Sequence, residues 1–213
     1  KTATPAVTAG AESVAEAAMV YHKLGLAEKG LSEKAFEYAY KGYERLLEKG
    51  QLQQPGMLTI CDFSQSSNKK RLYLVDLENE KVVMNTYVAH GRNSGGEFAT
   101  RFSNNPNSLQ SSLGFYVTQG TYIGGHGLSL KITGMEPGFN SNAMQRAVVV
   151  HGADYIGESR LHSSSYMGRS FGCPAVPGKE SARIINTIKN GTCLFIYHPS
   201  ANNYLQRSNL LNG

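Results

Sequence analysis

Ala147-Val148-Val149-Val150-His151-Gly152-Ala153 is the most informative run in the chain. A short, continuously apolar stretch rich in β-branched valine reads as a buried β-strand. It stops abruptly at a histidine followed by glycine, so the strand end is expected to present the His151 imidazole rigidly. The plain alternative is a histidine satisfied inside the core. Outward from this run, alternation of apolar residues recurs. After the turn signal Gln54-Pro55-Gly56, Leu58 and Ile60 alternate with Thr59 and Cys61, and then Leu72 and Leu74 with Tyr73 and Val75. A hairpin partner is expected over 81–89, and further strands over 115–117, 128–132, 147–150 and 192–197.

Ahead of the strands the apolar period is helical. Val14, Ala17, Ala18, Tyr21 and Leu24 mark one segment, and Ala35, Phe36, Ala39, Tyr40, Tyr43, Leu46 and Leu47 a second, with Ser32 at its N-cap and Gly50 suited to a left-handed stop. Both are expected to pack on the sheet that follows. One late helix over 180–190, carrying Ala182, Ile184, Ile185 and Ile188 and ending at Gly191, interrupts the strands. The organisation is therefore a tail and helical cap over 1–50 and a β-rich catalytic region over 51–213, joined as one structural unit.

The length of 213 residues suffices for a core of ordinary size. With 40% apolar residues, 17% charged residues and 23 glycines, the composition excludes disordered and fibrous classes. No run reaches the roughly 18 to 20 apolar residues that cross a bilayer, so no membrane span is expected. The formal net charge of +5 is dispersed, and Lys69-Lys70-Arg71 is too short a basic group for a nucleic-acid partner. Such a charge suits an anionic polymer or a carboxylate substrate. Residues 1–10 are small, polar and without pattern, like a processed N-terminus, which predicts an exported protein whose signal peptide has been removed. The three cysteines are an odd number, so at least one stays unpaired within the chain.

That cysteine is expected to be Cys173, in Gly168-Arg169-Ser170-Phe171-Gly172-Cys173-Pro174. A thiol with a pKa of about 8.5 is weakly ionised at neutral pH and is activated by an adjacent imidazole, so Cys173 and His151 make a nucleophile and base. Gly172 permits a tight turn in which the amides of Gly172 and Cys173 point at a developing oxyanion. Cys61 and Cys193 lie in apolar strand patterns, where cysteine behaves as a small hydrophobe, and a bridge between them is left open.

His151-Gly152 followed by Ser170-Phe171-Gly172-Cys173 resembles the signature of the L,D-transpeptidases of bacterial cell-wall synthesis, the YkuD-like family. The likeness takes in Ser112 to Tyr116 and Gly124 to Leu130, extends in the divergent murein L,D-transpeptidase branch to Val88 to Gly95 and Arg169 to Pro177, and covers about 32–197. The resemblance implies a mainly β sandwich or barrel with two N-terminal helices and one late helix. It also implies a secreted monomeric enzyme of the periplasm or cell envelope, without cofactor or metal, acting on peptidoglycan stem peptides. Cys173 would be the nucleophile, His151 the base and Gly152 the carbonyl orienting it, with transpeptidation, carboxypeptidase and endopeptidase outcomes all open. The rival class is a cell-wall-binding module of the same fold without turnover.

Two positions depart from the commonest branch of the family: Phe171 where a second histidine stands, and Ala175 where an arginine follows. Substrate carboxylate recognition is then expected from Arg169, in the Ser170 turn, or from Arg92. His126 and His90, each in a glycine-rich setting, are expected to line the pocket or else to bond locally in their loops. Together with His151 and Cys173 they could supply a zinc site, but no short paired-ligand spacing supports one.

Overall fold

The computed structural model describes residues 6–163, 165–199 and 203–213. Residues 1–5 of the expected tail lie outside these, and from Ala6 the chain is already helical. The N-terminal pair is α1 (Ala6–Lys23) and α2 (Glu33–Glu48). The Ser32 hydroxyl accepts from the Ala35 N–H at 3.1 Å and so satisfies an orphan donor of α2, while Gly50 takes φ +64° where the helix stops. Ala35, Phe36, Ala39, Tyr40, Tyr43 and Leu46 are buried along one face of α2 and join the core of the sheet.

Eight strands follow: β1 (Met57–Asp62), β2 (Leu72–Asp76), β3 (Lys81–Thr86), β4 (Gly114–Gly124), β5 (Gly127–Gly134), β6 (Val149–Ala153), β7 (Ala175–Pro177) and β8 (Cys193–Tyr197). Between and after them lie α3 (Glu158–Leu161), α4 (Gly178–Ile188), α5 (Tyr204–Arg207) and α6 (Asn209–Asn212). The fold is mainly β, a single sheet in the order β3-β2-β1-β8-β4-β5-β6-β7. It nearly closes on itself. Beyond β3 the chain crosses to the opposite edge, where the Ala89 N–H donates to Ala175 O at 2.8 Å and the Arg92 N–H to Ser170 O at 2.7 Å. The apolar core runs continuously from Ala17 and Phe36 in the helices to Phe115 and Phe195 in the sheet. No helix among the described residues is long and apolar enough to cross a membrane.

Several boundaries differ from the spacing-based expectation. The strand expected over 147–150 is β6, so His151 sits mid-strand rather than at the strand end, and Ala147 takes φ +53° before it. The strand expected over 115–117 is the eleven-residue β4, whose period breaks at a bulge between Thr118 and Thr121. The expected hairpin strand stops at Thr86 because the chain turns away to close the sheet. Arg71 is not a surface charge at all: it is fully buried. Cys61 and Cys193 are buried and unbridged.

Helix α2 approaches the sheet so closely that a Cβ on Gly42 would lie 1.9 Å from the Phe115 ring, itself stacked on Phe195 at 4.1 Å. Gly42→Ala is therefore expected to destabilise the fold, by about 2 kcal/mol net at the upper end of the overpacking range. Overpacking costs roughly 1–3 kcal/mol or more at so severe a clash, against about 1 kcal/mol gained in helix propensity. Urea denaturation measures it, and a stabilised Gly42→Ala protein contradicts the packing described.

Candidate active site

The cysteine turn is built by its own serine. Ser170 Oγ donates to Cys173 O at 2.5 Å and accepts the Gly172 N–H at 3.1 Å, and the Ser170 N–H donates to His90 O at 3.1 Å. Gly172 adopts φ +119°, and a Cβ there would stand 2.7 Å from Gln110 O, so only glycine fits. Ser170 thus braces the turn rather than facing a ligand. The Gly172 amide, expected in an oxyanion hole, is committed to that serine.

Cys173 is half-buried, its sulfur against the backbone of β6. It receives the Val149 N–H at 3.5 Å and lies 3.7 Å from Ala147 O. Burial pushes the thiol pKa up, opposed by the Val149 N–H and the Arg146 guanidinium. Burial thus favours the protonated thiol in the resting protein. Two residues along the same strand from Val149 stands His151, buried, with Nδ1 2.9 Å from Gly152 O. A carbonyl only accepts, so Nδ1 carries the proton and Nε2 presents a lone pair. Burial is the main cause holding the His151 pKa below its ordinary value, with His126 adding to it. The exposed His126 ring stacks on His151 at 4.4 Å. The sulfur thus rests on backbone groups of Val149 and Ala147, and the imidazole stands two residues further along β6.

Gly152 is needed for packing as well, since a Cβ would meet Ser181 Oγ of α4 at 2.6 Å. Register completes the placement: His151 lies opposite Ser129 on β5 and Ala175 on β7.

The other expected binding residues are dispersed. Arg169 donates from Nη1 to Gly95 O at 2.6 Å and Arg92 O at 3.1 Å, and from Nη2 to Tyr166 OH at 3.1 Å. Its guanidinium braces the loops, and with Arg92 and Phe171 it lines a cavity other than the one beside Ala147 and Val149. The Arg92 guanidinium lies 5.9 Å above the exposed Phe171 ring. His90 is fully buried, its Nδ1 2.8 Å from Arg71 Nη2, and its pKa is pushed down to about 3 by burial and by that guanidinium. It cannot line the pocket. Among the described residues no group of three His, Cys, Asp or Glu side chains could hold a metal ion.

The cation beside the cysteine turn is Arg146, which spacing did not single out. It donates to Ser103 O at 2.8 Å, Gln110 O at 2.6 Å, Ser108 Oγ at 3.1 Å and, very closely, Ser112 Oγ. The only sequence signal for it is a lone arginine directly ahead of the valine run.

A family model described as the L,D-transpeptidase catalytic domain matches residues 27–197. No curated protein sequence matches the chain. Among solved structures, the L,D-transpeptidase from Mycobacterium smegmatis is 11% identical, with 67% of this chain and 59% of that one covered and a TM-score of 0.42. The L,D-transpeptidase from Xylanimonas cellulosilytica is 15% identical, over 85% of this chain and 93% of that one, with a TM-score of 0.38. The helical cell shape determining protein from Campylobacter jejuni is 13% identical, over 75% and 56%, with a TM-score of 0.43. The chain spans about three fifths of the length of the mycobacterial proteins it matches.

Burial raises Cys61 to about 12 and Cys193 further still, and both are enclosed, whereas Cys173 is half-buried with a milder upward shift. Iodoacetamide labelling with peptide mapping is expected to modify Cys173 first. Its rate should climb as pH rises above neutrality, because the thiolate is the reactive form. Faster labelling of Cys61 or Cys193 in the folded protein contradicts this assignment.

Proposed function

We propose that this chain, which belongs to the L,D-transpeptidase catalytic domain family, performs cysteine-dependent acyl transfer on peptidoglycan stem peptides through a thioester on Cys173. The observation that carries the reading is the position of the thiol, half-exposed at the end of a glycine turn with its sulfur against Val149 of β6, two residues along that strand from a histidine whose Nδ1 is tied to a carbonyl. The family acts on the cell wall, which supports export to the periplasm or cell envelope.

In this reading His151 Nε2 takes the thiol proton as sulfur attacks the carbonyl between an L-centre and a D-centre. The C–S bond forms and the C–N bond breaks. The amine leaves with the proton returned by the imidazolium. An acceptor amine or water then attacks the thioester, giving up its proton to His151, and restores the thiol. The amine yields a cross-link, and water yields carboxypeptidase or endopeptidase activity. The Cys173 N–H, beside its own sulfur, is the amide available to the oxyanion once Gly172 is committed to Ser170. Because burial keeps both groups uncharged, the resting site is a neutral thiol–imidazole pair. The first proton transfer must accompany attack or immediately precede it. A catalytically inactive wall-binding module is the second reading, favoured by the sulfur resting on backbone groups rather than on His151.

Mass analysis of muropeptides decides between them. Cys173→Ala is expected to abolish conversion while changing stability by no more than about 1–2 kcal/mol. His151→Ala is expected to lower kcat/KM by about 10²–10⁴, without adding to the Cys173 loss. The His151 pKa lies below 6.5, so the base stays deprotonated through neutrality, and the acid limb of kcat/KM is expected to fall with its midpoint below pH 6.5. Full activity in Cys173→Ala removes the thioester mechanism.

A further inference from the structure

A substrate with a free carboxylate needs a cation that the protein has not already used. Arg169 and Arg146 give their guanidinium hydrogens to protein oxygens, and Arg146 is held among Ser103, Ser108 and Gln110. Lys131 on β5 differs. It is exposed and enters no ion pair among the described residues. Its ammonium stands 5.6 Å over the Tyr122 ring.

Three features connect Lys131 with the surroundings of Cys173. Lys131 is the cross-strand partner of Val149, the residue whose N–H touches the Cys173 sulfur. On the other side of Lys131, β4 carries its bulge, since Thr118 pairs with Ile132 and Thr121 with Leu130, leaving two residues opposite Lys131. Bulges of this kind re-aim side chains and recur next to active sites. Finally, Lys131, Tyr122, Met144, Ala147 and Val149 line one cavity of about 240 Å³. Backbone groups of Ala147 and Val149 both contact the sulfur.

Strands stand about 4.8 Å apart, so the backbones of Lys131 and Cys173 are roughly 10 Å apart across β6. A lysine stem and one peptide residue of about 3.5 Å fill that span. The cavity is smaller than the roughly 300–1,000 Å³ of sites that take drug-sized ligands, and is suited to a single small residue. We propose that this cavity receives the C-terminal D-residue of a stem peptide and that Lys131 binds its free carboxylate, the role expected of Arg169. The proposal rests on the reading of Cys173 as the acyl acceptor for such peptides.

Binding is measured by isothermal titration on the Cys173→Ala protein, which holds a peptide without turning it over. The probes are two synthetic tetrapeptide stems that differ only in a C-terminal carboxylate or carboxamide. The carboxylate peptide is expected to bind roughly tenfold to a hundredfold more tightly, as a charge-assisted contact implies. Adding Lys131→Met should bring the two affinities together, and adding Lys131→Arg should restore most of the preference. Equal affinities in Cys173→Ala, or a preference that survives Lys131→Met, overturn the proposal. Turnover of the carboxylate peptide by the unsubstituted chain is scored separately by mass analysis. Turnover without a Lys131-dependent preference removes the cavity assignment and leaves the acyl chemistry standing, whereas preference without turnover does the reverse.

Discussion

A guanidinium enclosed within the sheet holds the edge that carries the cysteine turn in place. Arg71 is fully buried, donates from Nε and Nη2 to Val88 O at 3.1 and 2.9 Å and from Nη1 to Gln65 O at 2.8 Å, and reaches His90 Nδ1 at 2.8 Å. Burial lowers its pKa to about 9, which leaves it charged at neutral pH. A second positive charge beside it would have no compensation, so His90 is neutral and accepts. These bonds set the course of residues 88–90. That segment then pairs with Ala175 and receives the Ser170 N–H, so the cysteine turn hangs from a strand that Arg71 has fixed. Removing one member of such a buried network strands the others, at a cost of several kcal/mol.

The same enclosure sets the chemistry. Burial raises the Cys173 thiol and lowers the His151 imidazole, which favours the uncharged form of each. A resting site of this kind differs from a preformed thiolate–imidazolium pair, and in the proposed mechanism activation falls to the approach of substrate. Arg146 and the Val149 N–H work in the opposite direction on sulfur, and both stand where a developing thiolate would need them. The two positions at which the chain departs from the commoner family pattern, Phe171 and Ala175, are accommodated differently. Phe171 points outward under Arg92, and Ala175 is buried in the sheet closure, where an arginine has no room.

Local chemistry was legible in the chain wherever a few neighbouring residues decide the outcome. Ser32 and Gly50 bound α2 through bonds and dihedrals that reach no further than four residues. The apolar runs at Leu58–Cys61 and Leu72–Val75 mark strands, and both prove to be buried on both faces. The pairing of a Gly-Cys turn with a His-Gly strand was likewise readable, because only glycine accepts the φ of Gly172 and the close approach at Gly152.

Tertiary structure decided what distant segments do to each other. β7 is three residues long and is held by its parallel register with β6 and its bridge to Ala89, so no period announces it. Arg71 and Lys131 are both plain cations in the chain, yet pairing buries one against carbonyls and leaves the other over an open cavity beside Cys173. His90 and His126 share a glycine-rich setting, but closure of the sheet encloses the first and a β-turn stacks the second on His151. The sequence by itself determined which residue types can do acyl chemistry and which local conformations they adopt, because torsions and caps are local energies. Which cations, histidines and amides meet the sulfur was decided by strand register and burial, which depend on residues far apart in the chain.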